Sequence, residues 1–405
     1  MKLKIALRNV LRNRRRTILN LTMIGGGYAA IVLFQGFAAS MLADLKDAAI
    51  NNQYGHIQVA KNNFWEQQST DAPKDRAIDN PVELIEKLKK IPGVEYASGR
   101  ITFYGLLSSG DQTISAQFVG YDPVVEKRMS RALRIIDGKT FAQTDLSTNP
   151  VLGGKGIVKM INAKVGQDLT ILSHTFDGVI NAIDVKLEGI FLTTMVEIDD
   201  TTIYVPLATA QKLLDTSSVD KVVVLVDEDD KLKKVKKVAN TINPEIYRAK
   251  EWMELATLFS QVEDFYSVQN MVIETIILLL VLLSISNTVG MSIFERTGEI
   301  GTLRALGDRS QQIIKSFCLE GLILGIIGSL FGVVLAAVLS YIINVLAIPI
   351  VVPGASVPIP VIIVFLPKAY FLSGVLLVIT TITATYVPSA KIAGMNIVDA
   401  LRHNI

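Results

Sequence analysis

Residues 295–307 read ERTGEIGTLRALG and lie between two of the most apolar stretches of the chain, 271–294 and 313–348. Almost any polar residues can join two membrane spans, whereas this connection repeats Glu, Arg and Gly at close spacing. Ile300, Leu303 and Leu306 recur at helical spacing, which predicts one apolar stripe with the charged residues off it. We interpret the stretch as a short amphipathic helix at the membrane surface that docks on another protein.

A helix lying on lipid is the alternative for this stretch, but acidic side chains are disfavoured against an anionic inner leaflet. Gly307 is placed to end the short helix. Asp308 and Gln311 are spaced as a capping box, which predicts the start of the next helix.

Four stretches are long and apolar enough to cross a bilayer, which takes about 20 residues. The composition agrees, because half of the 405 residues are hydrophobic and the mean hydropathy is +0.40. The predicted spans are 18–43, 269–294, 313–348 and 368–390. A cleavable signal peptide ending at FAAS is the alternative for the first span, but the apolar run is longer than a usual signal core.

The distribution of lysine and arginine predicts which connections between these spans lie in the cytoplasm. Seven of them precede the first span, and Arg296, Arg304 and Arg309 lie in the 295–312 connection. The 349–367 connection has none. We therefore expect both termini and 295–312 to be cytoplasmic, with 44–268 and the 349–367 loop outside. The predicted fold is an α-helical membrane protein with four transmembrane helices and a large α+β extracytoplasmic domain between helices 1 and 2.

Two further predictions concern the ends of the chain. Leu3, Leu7, Val10 and Leu11 share one helical face among basic residues, which predicts a cytoplasmic amphipathic helix over 1–17 lying on the inner leaflet. A basic flank without structure of its own is the alternative. Residues 391–405 are predicted to be a cytoplasmic tail.

The composition argues against several classes of function. A net charge of +2 gives no sign of nucleic-acid binding, and the single Cys318 excludes a disulfide framework. The three histidines are far apart in sequence, so we expect no metal site. No catalytic constellation stands out, and GGKG at 153–156 lacks the spacing of a phosphate-binding loop, so we interpret it as a strand-to-helix turn.

ERTGEIGTLRALG, followed by Glu320-Gly321, resembles the signature of the FtsX-like permeases. These are membrane subunits of ABC transporters that include the lipoprotein-release permeases (LolC and LolE) and the macrolide-exporter type (MacB). Further segments resemble the family in the same order: ALRNVLRNRRRT, YGHIQV at 54–59, FVGYDP, GKGIVKMINAKVGQDLTIL, YVPLATAQKLL and PSAKIAGMNIVDALR. The resemblance implies that residues 44–268 form a MacB-like core domain.

The resemblance also implies a mechanism, in which the 295–312 segment is a coupling helix that docks on an ABC ATPase. The implied contact or geometry residues are Glu295, Arg296, Glu299, Gly301, Arg304 and Gly307. Because the chain has no Walker A motif, the ATPase must be a separate polypeptide, and ATP and Mg²⁺ belong to that partner. This chain would hold no cofactor and catalyse no reaction itself. Family members pair as permease dimers, either homo- or heterodimers, in the bacterial inner membrane.

Two groups of residues within the spans are candidate sites. Gly321, Gly325, Gly328 and Gly332 form two small-x-x-x-small pairs, which allow close helix packing either within one chain or at a dimer seam. Glu274 and Glu320 are carboxylates within or beside the spans. Such groups are costly unless paired or functional, so both are candidates for the substrate path.

The predicted function is a permease that uses mechanotransmission. It would extract a lipoprotein or another amphipathic substrate from the outer leaflet and pass it to a periplasmic chaperone or adaptor. One alternative is the permease of a tripartite efflux pump for peptides, glycolipids or drugs. The other is a regulator that switches a cell-wall hydrolase and carries no substrate.

Overall fold

The computed structural model describes residues 14–65, 73–126, 133–351, 356 and 358–393. The chain divides into two compact units. The helical unit comprises the described parts of 1–42, 262–349 and 360–405, and the sheet unit comprises 43–261 with 350–359. The apolar face predicted for the helix at 1–17 lies outside the described residues, as does the predicted tail from residue 394 onward.

The described chain contains both helices and strands. In chain order the helices are α1 Arg14–Ala48, α2 Pro73–Arg76, α3 Pro81–Lys89, α4 Lys155–Met160, α5 Val196–Thr201, α6 Leu207–Leu214, α7 Leu232–Ala239, α8 Trp252–Leu255, α9 Thr257–Glu295, α10 Thr297–Ala305, α11 Ser310–Leu346 and α12 Pro367–Ala393. The strands are β1 Ile57–Lys61, β2 Val94–Ser108, β3 Thr113–Tyr121, β4 Arg134–Gly138, β5 Pro150–Gly154, β6 Asp168–His174, β7 Ile180–Leu192, β8 Thr202–Pro206, β9 Lys221–Val226, β10 Tyr247–Glu251, β11 Pro349–Ile350 and β12 Ile359–Pro360.

Helices α1, α9, α11 and α12 are the four in the described chain that are long and apolar enough to cross a membrane, as the sequence predicts. Helices α1 and α9 are longer than the predicted spans, because polar turns at their ends add no hydropathy but keep helical hydrogen bonds. Helix α1 continues as the π-helical segment Ala49–Tyr54.

The core of the helical unit joins all four long helices. Ile24 and Tyr28 of α1 pack with Ile285 of α9, Leu324 of α11 and apolar residues of α12. The Tyr28 hydroxyl donates a hydrogen bond of 2.8 Å to the Tyr370 carbonyl of α12. This buried bond fixes how α1 and α12 meet.

The sheet unit is built on ten strands in the order β10-β1-β9-β2-β3-β8-β5-β7-β4, with β6 paired to both β2 and β7. The β2–β6 pairing joins Leu106 to Leu172 and closes β2, β3, β8, β5, β7 and β6 into a ring. The pairs β3–β8 and β5–β7 are parallel, and the other pairs in this sheet are antiparallel. The long β2 therefore belongs to both the ring and the flanking strands.

Two turns of the sheet unit lie where the sequence predicts them. Gly110 has a φ of 90° in the turn between β2 and β3, where the sequence predicts a hairpin. The GGKG segment at 153–156 runs from β5 directly into α4, which is the predicted strand-to-helix turn.

A buried ion pair fixes the start of the sheet unit to its sheet. The Arg100 guanidinium on β2 contacts the Glu126 carboxylate, with Nε donating to Oε2 at 2.9 Å, and both residues are almost completely buried. Arg100 Nη1 also donates to the Gln53 carbonyl at 2.6 Å. The Tyr204 hydroxyl donates to the Asn52 carbonyl at 3.1 Å. The segment that continues α1 is thus held by side chains of β2 and β8.

Candidate functional site

A single residue, Arg296, separates the end of α9 from the start of α10. Arg296 has φ −104° and ψ 13°, outside the helical range. The Thr297 hydroxyl donates to the Phe294 carbonyl at 2.8 Å and satisfies a group at the end of α9. The connection is therefore a sharp elbow rather than a loose loop.

The C-terminal end of α10 is closed by a Schellman motif. Gly307 has a φ of 104°, its N–H donates to the Arg304 carbonyl at 3.1 Å, and the Asp308 N–H donates to the Leu303 carbonyl at 3.1 Å. Gly307 therefore ends the helix as the sequence predicts, because a residue with a side chain is strained at this φ.

The predicted capping box at Asp308 and Gln311 is wrong by one residue. Asp308 is used to close α10, so α11 begins at Ser310 with Arg309 as its N-cap. The Gln312 side chain accepts a 3.3 Å hydrogen bond from the Arg309 N–H.

The predicted apolar stripe of α10 is divided between two faces. Ile300 is buried with Ile293, Ile313 and Phe317, whereas Leu303 is 46% and Leu306 81% exposed. The face packed on the bundle also contains Gly298 and Gly301, which are both buried. Gly301 therefore lies on the packed face, and Leu303 and Leu306 remain exposed.

Two ion pairs join the elbow to the neighbouring helices. The Arg16 guanidinium of α1 contacts both carboxylate oxygens of Glu295 at 2.8 and 3.1 Å. Arg296 lies 3.8 Å from the Glu320 carboxylate of α11, with both side chains mostly buried. These contacts form a network of Arg16, Glu295, Arg296 and Glu320 at the elbow, in which the Glu295 side chain stays 53% exposed. Glu299 on α10 is also exposed, and Arg304 is half-buried.

A polar cavity of about 140 Å³ lies beside this network. Its lining includes Arg16, Asn20, Glu295, Arg296 and Glu320. The Asn20 Oδ1 atom is buried and has no hydrogen-bond partner in the described chain. The volume and the polar lining suit ordered water, which would let the charged groups rearrange without being fully desolvated.

Gly321 and Gly325 of α11 face α12. A Cβ atom on Gly321 would lie 2.5 Å from Thr385 Oγ1, and one on Gly325 would overlap Thr381 and lie 3.2 Å from Val378 Cα. The first glycine pair therefore brings α11 and α12 into close contact within one chain.

Gly328 and Gly332 of α11 face α1. A Cβ atom on Gly328 would lie 2.6 Å from Ile24 Cγ2, and one on Gly332 would lie 2.6 Å from Tyr28 Cβ. Both pairs are thus occupied by helices of the same chain, which favours packing within the chain over a dimer seam.

The two carboxylates of the candidate substrate path lie on different helices. Glu320 belongs to the ion-paired network at the elbow, whereas Glu274 lies half-buried near the middle of α9. The structure does not bring them into one site. Arg16 and Asn20 line the same cavity as Glu320 instead. From the sequence, Arg16 was predicted only as part of a basic flank, because spacing along α1 cannot show which helix its side chain contacts.

Two family models match the chain. The MacB-like periplasmic core domain matches residues 17–242, which is more than half of the chain, and the FtsX-like permease C-terminal region matches residues 271–397.

Individual relatives are ABC transporter proteins. The chain is 24% identical over 346 residues to the uncharacterized ABC transporter permease YknZ of Bacillus subtilis (strain 168), covering 82% of this chain and 84% of that protein. It is 23% identical over 265 residues to LolE of Haemophilus influenzae, a lipoprotein-releasing system transmembrane protein, covering 64% and 63% of the two chains. The crystal structure of the extracellular domain of YknZ from Gram-positive bacteria aligns with a TM-score of 0.34 and 15% identity, covering 48% of this chain and 100% of that one.

The two family models together cover most of the sheet unit and most of each of the four long helices, and the relatives are permeases. The chain therefore belongs to the family of multi-pass ABC transporter permeases that combine a MacB-like periplasmic core domain with an FtsX-like permease C-terminal region.

Proposed function

We propose that this chain is the membrane subunit of a mechanotransmission ABC transporter and that α10 docks on a separate ATPase. The observation that carries the proposal is the division of α10 into two faces. One face is packed on the bundle, and the other presents Glu299, Leu303 and Leu306. An exposed apolar pair beside a carboxylate is suited to a protein groove. ATP and Mg²⁺ would bind to the ATPase.

The ion pairs at the elbow would carry the motion. Glu295 is held by α1 through Arg16, and Arg296 contacts α11 through Glu320. A displacement of α10 would thus be transmitted to both helices. ATP binding would then favour one of two arrangements of the bundle through its stronger binding to the closed ATPase pair.

The proposed orientation places α10 and both termini in the cytoplasm and the sheet unit on the outside of a bacterial inner membrane. The distribution of lysine and arginine supports this orientation. The match of residues 17–242 to a domain named as periplasmic supports it independently.

A second permease would pack against α9. In the most apolar stretch of α9, only 22% of the residues are buried, against 39% in the corresponding stretches of α1 and α11. Its exposed apolar residues recur at helical spacing, among them Val268, Val272, Ile276, Leu279 and Leu283. A second copy of this chain or a related permease would cover this face, and the half-buried Glu274 would lie at its border.

The proposed substrate is a lipoprotein or another amphipathic molecule, extracted from the outer leaflet and passed to a periplasmic chaperone or adaptor. The similarity to LolE over 64% of the chain supports this choice. Extraction of a lipid-anchored molecule also needs no enzymatic group in the permease, only a motion that is coupled to ATP.

The test is purification of the chain from native membranes in a gentle detergent, with mass spectrometry of the proteins that accompany it. We expect an ABC ATPase together with a lipoprotein. An ATPase accompanied by an efflux adaptor or by a cell-wall hydrolase would replace the substrate proposal with one of its two alternatives. No ATPase in several detergents would contradict the docking role of α10.

A further inference from the structure

A cavity of about 410 Å³ lies in the sheet unit, between β2, β6 and the short helix α2. Its size falls within the range of about 300–1,000 Å³ that is typical of small-molecule sites. We call it the aromatic pocket and define it by six of its lining residues: Phe64, Arg76, Phe103, Tyr104, Phe176 and Asp220.

The aromatic walls are held in place by the surrounding structure. Phe103 stacks on Phe118 with ring centroids 5.1 Å apart. Lys221 Nζ lies 5.6 Å from the centroid of the Phe64 ring, and the Phe176 N–H donates to the Leu214 carbonyl at 3.2 Å. These contacts limit the movement of the Phe103 and Phe64 rings and of the Phe176 backbone, which lowers the entropic cost of binding a ligand.

An exposed ion pair joins α2 to the turn after β6, beside the pocket. Lys74 Nζ on α2 lies 3.1 Å from Asp177 Oδ1, in the turn that follows β6. The backbone bridge between Ile78 and Val219, with N–O distances of 2.7 and 3.1 Å, anchors the chain just after α2. Arg76 lies between these two contacts along the chain and lines the pocket.

Two polar atoms among the lining residues lack partners. Arg76 Nε and Asp220 Oδ1 are both buried, and neither has a hydrogen-bond partner in the part of the chain that the structure describes. Most buried polar atoms in proteins are paired, so two orphaned atoms in one cavity require an explanation. A bound ligand would supply both missing hydrogen bonds.

The charges indicate which ligand fits. Asp220 is already compensated, because its Oδ2 accepts from the Thr102 N–H at 2.8 Å and lies 3.7 Å from Lys221 Nζ. Arg76 forms no ion pair within the described residues. The pocket therefore has an uncompensated guanidinium and a carboxylate oxygen that can accept one further hydrogen bond.

We propose that the aromatic pocket binds a small amphipathic ligand with an apolar or aromatic body, a carboxylate that pairs with Arg76 and an adjacent N–H or O–H that donates to Asp220. A guanidinium–carboxylate contact would select the acid over neutral analogues. The inference is independent of the docking role of α10, because the pocket lies within the sheet unit.

The probe is N-acetyl-L-phenylalaninate, which carries an aromatic ring, a carboxylate and an adjacent amide N–H. Its matched analogue is N-acetyl-L-phenylalaninamide, which lacks the charge. Binding is measured on the full chain in lipid nanodiscs by saturation-transfer NMR, with empty nanodiscs subtracted. A fragment of this size should bind with a Kd of about 1 mM or below.

We expect Arg76→Gln to weaken binding of the acid at least about tenfold and the neutral analogue to bind wild type at least about tenfold more weakly. The matched control is Arg134→Gln, which changes an exposed arginine on β4 outside the pocket and should leave binding unchanged. No binding to wild type, or equal binding to Arg76→Gln, would overturn the proposal.

A second variant covers the case in which Arg76→Gln does not fold, as judged by thermal unfolding. Phe176→Ala removes one aromatic wall and leaves the charges in place. It should also weaken binding, and unchanged affinity in this variant would equally overturn the proposal.

Discussion

Glu299 differs from the other charged residues of the elbow in its surroundings. Glu295 is held by Arg16, and Arg296 lies against Glu320, so these side chains serve contacts within the chain. Glu299 is exposed, whereas the next residue of α10, Ile300, is buried. Ion pairs within the chain therefore separate Glu295 and Arg296, which position the helix, from Glu299, which has no ion pair among the described residues.

Reversing the charge at Glu299 tests this distinction. Glu299→Arg should weaken the association of the ATPase at least about tenfold, because a complementary contact becomes a repulsive one. The measurement is the amount of ATPase that co-purifies with the chain. Glu263→Arg is the matched control, since Glu263 is an exposed acid on the same helix as Glu295 but about 48 Å away along its axis. Equal loss in both variants, or none in Glu299→Arg, would argue against docking through this residue.

Asp199 gives the sheet unit a pH dependence. Its Oδ1 accepts hydrogen bonds from the N–H and the hydroxyl of Thr193 at 2.8 and 2.9 Å, but burial raises its pKa above the ordinary value of 3.8. The native state therefore holds the proton more tightly than the unfolded chain. The resulting stability is complete below the unfolded pKa and is lost as the pH rises through the native pKa.

Asp199→Asn should therefore unfold at a higher temperature than wild type at about pH 7, and the difference should shrink toward about pH 4. The measurement is thermal unfolding of the full chain across this pH range. The control is Asp200→Asn, which changes the exposed neighbour and should show no such trend. A lower unfolding temperature for Asp199→Asn at neutral pH would contradict the assignment.

Arg100 is always positively charged, because an arginine does not lose its proton in a protein, and the Glu126 carboxylate neutralises this charge. Glu126→Gln should destabilise the sheet unit by about 3–5 kcal/mol, since it leaves a buried guanidinium without its counter-ion. Chemical unfolding measures the loss. Glu86→Gln on the surface of α3 should cost far less, and a similar small loss for both would show that the Arg100–Glu126 pair does not stabilise the unit.

At the scale of elements, α10 shows what the sequence could predict and what it could not. Gly307 correctly predicts the end of the helix, because glycine adopts a positive φ more readily than other residues. The stripe of Ile300, Leu303 and Leu306 is split in the structure, with Ile300 buried against the bundle and Leu303 and Leu306 exposed. Periodicity gives the spacing of apolar residues but does not say that Gly298 and Gly301 form the packed side of so short a helix.

The glycines of α11 were recognised from their spacing alone, but their partners required the structure. Gly321 and Gly325 meet α12, and Gly328 and Gly332 meet α1. The spacing predicts close approach without identifying the neighbour. A single helix thus presents two small-residue faces to two different helices.

Gly325→Leu should destabilise the helical unit by about 1–3 kcal/mol or more, because the side chain would meet Thr381 and the backbone of Val378. Gly26→Leu is the matched control, since nothing lies within 4 Å of a Cβ at Gly26. Both are compared by thermal unfolding in the same detergent. Equal stability of the two variants would show that α11 and α12 are not in close contact at Gly325.

At the scale of the whole molecule, the four spans and the presence of both helices and strands follow from hydropathy and turn residues. The closure of the six-strand ring does not. It depends on Leu106 pairing with Leu172, two residues far apart in sequence with nothing local to mark them. The network of Arg16, Glu295, Arg296 and Glu320 escaped prediction for the same reason, since it draws on three helices.

Binding of an ATPase to the exposed face of α10 can be detected by site-specific crosslinking. The photo-crosslinking residue p-benzoylphenylalanine is placed at Leu306, which is 81% exposed, and native membranes are irradiated. The control position is Phe371 on α12, which is 75% exposed on a predicted membrane span. We expect a crosslink to an ABC ATPase from Leu306 and none from Phe371. An absence of ATPase adducts at Leu306, with the ATPase present in the membranes, would contradict the docking role of α10.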